Sequence, residues 1–214
     1  MSFVAPSRNR RASANPMTPV VVTFRRRLAI ALVSLALVAC SGGAKFASSD
    51  ITGSSFGRTF SLMDAYGHAR TLADFRGKAV VVFFGYTQCP DVCPATLATL
   101  AETMKRLGPE ADRVQVLFIT VDPERDTPAL LAQYVPAFDS RFMGLYGDAD
   151  ATARTAKEFK VIYEKVPGAT PSTYTMDHSA GSYVFDPQGR LRLFVSNGQG
   201  PDVFAHDLHE LLRG

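Results

Sequence analysis

The amino-acid sequence predicts an α/β domain in which helices flank a small central mixed β-sheet. Two short runs of β-branched and aromatic residues, Ala79–Phe84 and Val114–Val121, lack polar alternation and are bounded by turn residues. Such runs are typical of strands that are buried on both faces of a sheet. Helical patterns and hairpin patterns alternate with them along the chain, which indicates the α/β class.

A hairpin and a helix flank the first of these strands. Residues 60–70 alternate between apolar and polar side chains and predict a hairpin whose second arm continues through Thr71–Phe75. Pro94–Leu107 predicts a helix that starts at a proline and ends before Gly108. Its apolar stripe consists of Leu97, Leu100, Met104 and Leu107.

The second half of the chain supplies the remaining elements. Thr127 is the predicted N-cap of a helix that begins at Pro128 and runs through about Val135. After it we predict a helix at 150–159, an irregular loop or hairpin at 160–177, paired strands at Tyr183–Asp186 and Leu191–Val195, and a closing amphipathic helix at Asp202–Leu212.

The first 40 residues have the features of an export signal. Three arginines, Arg25–Arg27, precede an uncharged run of 12 residues, 28–39. This run is shorter than the roughly 20 residues that a membrane-spanning helix needs. Leu37–Cys40 resembles a bacterial lipoprotein signal box, in which cleavage before the cysteine leaves a lipid on its thiol. A plain signal peptide or an uncleaved anchor is the alternative.

We therefore divide the chain into three parts. They are a signal peptide at 1–40 that ends at the lipidation site Cys40, a flexible Gly- and Ser-rich tether at 41–55, and a folded domain at 56–214. This organisation predicts a lipoprotein of the cell envelope that faces the periplasm, in either the inner or the outer membrane.

The charge distribution argues against a nucleic-acid partner. The net charge of +3 comes from six arginines within residues 1–40, which contain no acidic residue. The rest of the chain has 17 basic residues against 20 acidic ones. It therefore lacks the clustered basic face that nucleic-acid binding requires.

Cys89 and Cys93 are the two cysteines that remain when Cys40 is set aside. At i and i+4 in the first turn of a helix they share one face, about 6 Å apart at Cα, which a disulfide tolerates. The helix N-terminus is expected to lower their thiol pKa values. The pair can therefore be a structural disulfide, a redox couple or two ligands of a metal.

The composition of the chain limits which metal such a pair would bind. Zinc usually takes four ligands, often two pairs, and no second cysteine pair exists. Two thiolates and one imidazole suit copper, as Cu(I) or Cu(II). His178 is the candidate imidazole because it precedes a predicted strand, although a lone histidine is more often incidental. His206 and His209 are expected on a solvated helix face.

Three separated motifs closely resemble the Sco/SenC family of copper chaperones. They are GYTxCPDxCP at Gly85–Pro94, VDPERDTP at Val121–Pro128, and Asp177–Ser179 followed by Phe185–Arg190. The resemblance spans about residues 55–213. It implies a thioredoxin-like fold with an added hairpin and a loop before the histidine, and it implies that Cys89, Cys93 and His178 are copper ligands.

The resemblance also implies a function and a partner. Members of this family deliver copper to the binuclear copper A centre of cytochrome c oxidase, or reduce the thiols that receive it. The oxidase subunit that holds this copper is the implied partner, with other periplasmic copper or thiol-redox proteins as further candidates. The alternative is a thiol–disulfide oxidoreductase in which Cys89 and Cys93 are catalytic and cycle through a disulfide. A structural disulfide without chemistry is the third interpretation.

Residues around these motifs have two interpretations each. Asp122 either holds His178 or a thiol in place from behind the ligands or caps an ordinary turn. Glu124–Asp126 form either a charged patch that faces a partner or, as we expect, a solvated loop. Tyr86 and Tyr174 either shield the metal loop or pack as ordinary aromatic residues.

Overall fold

A mixed β-sheet forms the centre of the structure, a computed structural model that describes residues 1–3, 45–170 and 173–214. Within these residues the sheet has eight strands in the order β1-β10-β9-β4-β5-β6-β2-β3, and β7 and β8 pair separately. The strands are β1 Ser49–Asp50, β2 Leu62–Asp64, β3 Ala69–Arg70, β4 Ala79–Gly85, β5 Val114–Thr120, β6 Met143–Tyr146, β7 Tyr163–Pro167, β8 Tyr174–His178, β9 Gly181–Phe185 and β10 Leu191–Ser196.

The two apolar runs occupy the middle of this sheet. Strands β4 and β5 are parallel and every residue of both is buried. Strand β9 joins β4 in the antiparallel sense, and β6 joins β5 in the parallel sense. Because both central strands are covered on their two faces, their sequences need no polar alternation. The predicted α/β class with a central mixed sheet is therefore confirmed.

Four α-helices and two 3-10 turns surround the sheet in the described residues. The helices are α1 Val92–Leu107, α2 Pro128–Tyr134, α3 Ala149–Glu158 and α4 Pro201–Arg213, and the 3-10 turns are Leu72–Phe75 and Gly108–Arg113. The predicted apolar stripe of α1 is buried. Helix α1 packs beside α4, where the Thr103 hydroxyl donates to the Pro201 carbonyl oxygen at 3.5 Å.

Several predicted elements agree with the structure. The Thr127 hydroxyl accepts a hydrogen bond from the Leu130 N–H and caps α2 as predicted. The alternatives left open for 160–177 resolve into the hairpin β7–β8. Strand β6 is an element that the sequence pattern missed, since four residues that include Gly144 give a weak strand signal.

The predicted second hairpin arm at Thr71–Phe75 is wrong. The arm is Ala69–Arg70, and Leu72–Phe75 is a 3-10 turn. Thr71 and Asp74 form a reciprocal capping box, in which the Asp74 carboxylate accepts from the Thr71 N–H at 2.6 Å. This local side-chain-to-backbone bonding competes with strand pairing.

The domain also begins earlier than the predicted boundary at residue 56. Residues Ser49–Asp50 pair with β10, so this part of the expected tether is a strand. The Ala47 and Ser48 N–H groups donate to the buried Asp207 carboxylate of α4 at 2.7 and 2.9 Å. Apart from residues 1–3, the predicted signal peptide lies outside the described residues, and so does Cys40. Among the described residues, no helix has the length and apolar character needed to span a bilayer.

Asp64 provides a test of how the first hairpin is held. Its carboxyl is 1% exposed and accepts from Arg70 at 2.9 Å and from the His68 N–H at 2.9 Å. Burial opposes ionisation, but hydrogen bonds from His68, Arg70 and Tyr66 outweigh it and lower the pKa of Asp64 to about 2.

We expect Asp64→Asn to lower the free energy of unfolding at pH 7 by roughly 1–3 kcal/mol, because it removes charge-assisted hydrogen bonds. Since the folded pKa lies below the ordinary value of 3.8, the stabilisation is present above pH about 4 and is lost as the pH falls through about 2. Urea unfolding at pH 7 and near pH 2 measures this. Asp112→Asn is the control, because that side chain is 86% exposed. If the loss of unfolding free energy in Asp64→Asn is as large near pH 2 as at pH 7, the lowered pKa of Asp64 is not the source of the stabilisation.

Candidate metal centre

The two cysteines lie where the central strand β4 gives way to helix α1. Cys93 is in the first turn of α1 and is fully buried, whereas Cys89 precedes the helix and is half-buried. The Cys93 N–H points at the Cys89 sulfur, with an N–Sγ distance of 3.4 Å. Both thiols are free. The helix start thus presents two sulfur atoms at the carboxyl edge of the sheet.

Gly85 allows Cys93 to lie against the end of β4. A Cβ at this position would be 2.9 Å from the Cys93 sulfur and 2.8 Å from the Phe118 ring. Real Cβ atoms do not approach neighbours so closely, so a side chain here would displace the thiol or the ring. In the sequence, the one signal for this role of Gly85 is its position directly after the apolar run.

His178 comes to the same edge from the end of β8. Its Nδ1 lies 3.1 Å from the carbonyl oxygen of Ser179, and a carbonyl can only accept, so Nδ1 carries the proton. The Nε2 lone pair therefore faces the Cys93 sulfur at 3.6 Å. The rings of Phe83 and Tyr86 meet the imidazole edge-on, with centroid distances of 6.4 and 6.0 Å. These contacts fix both the tautomer and the orientation of the imidazole.

Cys89, Cys93 and His178 together form a group that fits a metal ion. One ligand atom from each lies within 4.8 Å of the others. Atoms that sit about 2.0–2.3 Å from a shared ion, as nitrogen and sulfur do on zinc, are separated by less than about 4.6 Å. Small side-chain adjustments therefore suffice for coordination. His206 and His209 lie elsewhere and contact Asp207 and Glu110, respectively.

Burial controls the protonation of two members of the group. It raises the pKa of the Cys93 thiol, which is opposite to the lowering expected from the helix N-terminus. Burial also lowers the pKa of the His178 imidazole. The metal-free site therefore holds a protonated Cys93 and a neutral His178. A thiophilic ion would have to displace the Cys93 proton.

Asp126 braces the loop that carries Cys89, and here the expectation of a solvated loop is wrong. Its carboxylate is 1% exposed. It accepts from the Thr87 N–H at 3.0 Å and hydroxyl at 2.5 Å, and from the Thr120 hydroxyl at 2.6 Å. These bonds connect the cysteine loop to the end of β5. A charged residue in a polar motif gave no sequence signal of such burial.

Asp122 contacts the hairpin that carries His178. It accepts from the Arg125 guanidinium at 2.5 Å and from the Tyr174 hydroxyl at 2.8 Å. The guanidinium also covers the Tyr174 ring at 3.5 Å and donates to the Tyr174 carbonyl oxygen at 2.9 Å. Burial and the Asp122 carboxylate raise the pKa of Tyr174 to about 12. Within the described residues, the Asp122 carboxylate bonds to neither cysteine nor to His178.

The fold and the site define a class of protein. A thioredoxin-like domain with two thiols at the start of its first helix and an imidazole opposite them can handle soft metal ions or thiols. The chain belongs to the SCO1/SenC family, whose model matches residues 48–213.

Individual relatives agree with this membership. The bovine mitochondrial SCO2 homolog is 41% identical over 145 residues, which is 67% of this chain and 54% of that protein. A SCO2-like protein of Rickettsia felis is 34% identical over 74% of this chain and 76% of that protein. The structure of Bradyrhizobium japonicum ScoI with copper bound is 40% identical and superposes with a TM-score of 0.68 over 74% of this chain and 100% of that one. The chain thus spans little more than half of its bovine relative.

The contact at Gly85 generates a prediction. We expect Gly85→Ala to lower the free energy of unfolding by roughly 1–3 kcal/mol, because the added methyl group overpacks the space between Cys93 and Phe118. Urea unfolding of the metal-free protein measures it. Gly200→Ala is the matched control, since a Cβ there meets nothing within 4 Å. Equal stability of the two variants would show that the strand end accommodates a side chain.

Proposed function

We propose that this protein is a copper metallochaperone. It binds one copper ion through Cys89, Cys93 and His178 and delivers it to the copper A centre of cytochrome c oxidase during assembly. It acts by binding and transfer rather than by catalysing a reaction. The observation that carries the proposal is the convergence of two sulfurs and the unprotonated Nε2 within 4.8 Å at one sheet edge.

The donor set favours copper over zinc. A structural zinc site has four protein ligands, and the group found among the described residues has three. Two thiolates and one imidazole match the preference of Cu(I) for soft ligands and low coordination number, and an added oxygen ligand would suit Cu(II). The copper-bound ScoI structure from Bradyrhizobium japonicum, at 40% identity, supports the same choice of metal.

The unequal burial of the ligands gives transfer a direction. Cys89 is half-buried, whereas Cys93 is fully buried, so an incoming thiolate reaches the ion on the Cys89 side. A bond from copper to the incoming sulfur forms as the bond to Cys89 breaks, and the oxidation state of the ion does not change. When copper leaves, Cys93 takes up a proton again, because burial favours its neutral thiol.

A copper titration tests the three ligands. We expect the reduced full chain to bind one copper ion tightly under anaerobic conditions, and Cys89→Ser, Cys93→Ser and His178→Ala to bind it weakly or not at all. Competition against a chromogenic copper chelator gives affinity and stoichiometry. His209→Ala is the control, since its imidazole bonds to Glu110 away from the site.

Unchanged copper affinity in His178→Ala would refute the three-ligand site and favour the alternative function. That alternative is a thiol–disulfide oxidoreductase, and it draws on the proximity of the two sulfurs, which are within 4.8 Å of each other. It requires the metal-free protein to turn over a disulfide substrate without His178.

Asp122 is proposed to position His178 through the hairpin. Its bonds to Arg125 and Tyr174 fix the start of β8, the strand that ends at His178. We expect Asp122→Asn to weaken copper binding by roughly 10-fold, as is usual when a group behind a metal ligand is changed, while stoichiometry stays at one. Glu124→Gln is the control, because its carboxylate pairs with Lys165 on the exposed surface. If Asp122→Asn binds copper with the affinity of the wild type, Asp122 does not position His178 and only caps a turn.

The proposed location is the cell envelope, with the domain facing the periplasm and a lipid on Cys40. The basic segment, short apolar run and cysteine of residues 25–40 support it. The copper-bearing oxidase subunit is the proposed partner, alongside other periplasmic copper or thiol-redox proteins. Mass spectrometry of the mature N-terminus tests the anchor, and an unmodified or uncleaved Cys40 would refute it.

A further inference from the structure

A groove opens beside the metal centre. One wall is the first half of α1, with Ala95, Thr96 and Thr99, and the other is the loop Ser196–Gly200 between β10 and α4. Its volume is about 160 Å³. That is smaller than the roughly 300 Å³ at which pockets for small organic ligands begin. One or two side chains of a polypeptide would fill it.

The groove adjoins the copper ligands on both of its walls. Ala95 follows Cys93 by two residues, and Ala180, at the end of the groove, follows His178 by two residues. Phe83 lines the floor and its ring centroid lies 6.4 Å from that of His178. Any chain that occupies the groove therefore lies next to the segments that carry Cys93 and His178.

The lining has the chemistry of a peptide-binding surface. Apolar rings and a valine form the floor, and hydroxyl, carboxamide and glycine backbone groups form the walls. None of the residues that line it is charged. The charged residues Arg125, Glu124 and Lys165, by contrast, do not line the groove. The uncharged lining suits an uncharged extended segment.

We infer that this groove holds an extended, uncharged segment of the protein that accepts the copper, next to the cysteine that receives the ion. The inference rests on the proposed chaperone function and specifies how the acceptor is recognised. An acceptor segment in the groove would place its thiol beside the ligands, so that ligand exchange proceeds within one complex.

Blocking the groove tests this. Thr99→Arg fills it from the α1 wall, at a position more than one helical turn beyond Cys93, and Asn197→Arg fills it from the loop wall. Ala98→Arg is the matched control, since Ala98 is exposed on the same helix and does not line the groove. The full chain is loaded with Cu(I) and mixed anaerobically with the reduced, copper-free copper A domain of a cytochrome c oxidase, and transfer is followed by time-resolved separation and metal analysis.

We expect both groove variants to bind copper like wild type and to transfer it at least about 10-fold more slowly, as for the loss of a well-packed contact. Ala98→Arg should transfer at the wild-type rate. Unchanged transfer in both groove variants, or equal slowing in Ala98→Arg, would overturn the groove assignment and leave the chaperone proposal intact. Wild-type protein that binds copper but transfers none would instead overturn the proposed function.

Discussion

The parallel pairing of β4 with β5 is the constraint on which the site depends. Parallel strands end at the same edge of a sheet, so the cysteine loop after β4 and the polar loop after β5 begin side by side. The Val121 N–H donates to the Gly85 carbonyl oxygen at 2.9 Å and extends the pairing by one step. Asp126 then closes the junction through its bonds to Thr87. The loop after β4 and the loop after β5 are therefore held together by their own hydrogen bonds, without a bound ion.

The three ligands are supported in different ways. Cys93 is fixed by the core, since it is fully buried against Gly85 and Phe118. His178 instead stands at the end of a two-stranded hairpin, with the rings of Phe83 and Tyr86 edge-on against its imidazole. Cys89 is the most accessible sulfur of the pair. The three side chains are thus held in different ways: Cys93 by the core, His178 by the hairpin and its neighbours, and Cys89 by an accessible loop.

Sequence patterns predicted the parts of the fold that depend on local chemistry. The apolar runs of β4 and β5, the stripe of α1 and the Thr127 cap each follow from short-range rules, and they are where the patterns placed them. Strand β6 and the turn Leu72–Phe75 were missed or misassigned, because a short strand takes its stability from its neighbours and a capping box competes with pairing.

The candidate metal site could be predicted only in part from the sequence. Spacing predicted both cysteines in the first turn of one helix, which is right for Cys93 only, because Cys89 precedes the helix. The motif resemblance was needed to single out His178 among four histidines. The burial of Asp126 and the route from Asp122 through Tyr174 depend on loops that are 39 and 52 residues apart in sequence. The same is true of the raised pKa of Cys93, since desolvation depends on how the core closes over a thiol and not on its place in a helix.

In the proposed chaperone, the hairpin β7–β8 would link metal binding to the conformation of the arm that carries His178. A two-stranded ribbon is only marginally stable by itself, and this one pairs with no third strand among the described residues. An ion bound to His178 would add a cross-link between the ribbon and the core, so part of the binding free energy would go into ordering the arm. Loaded and empty forms would then differ in the hydrogen-exchange protection of this arm. A partner protein could then distinguish the loaded form from the empty form by the stiffness of the β7–β8 arm, without contacting the ion.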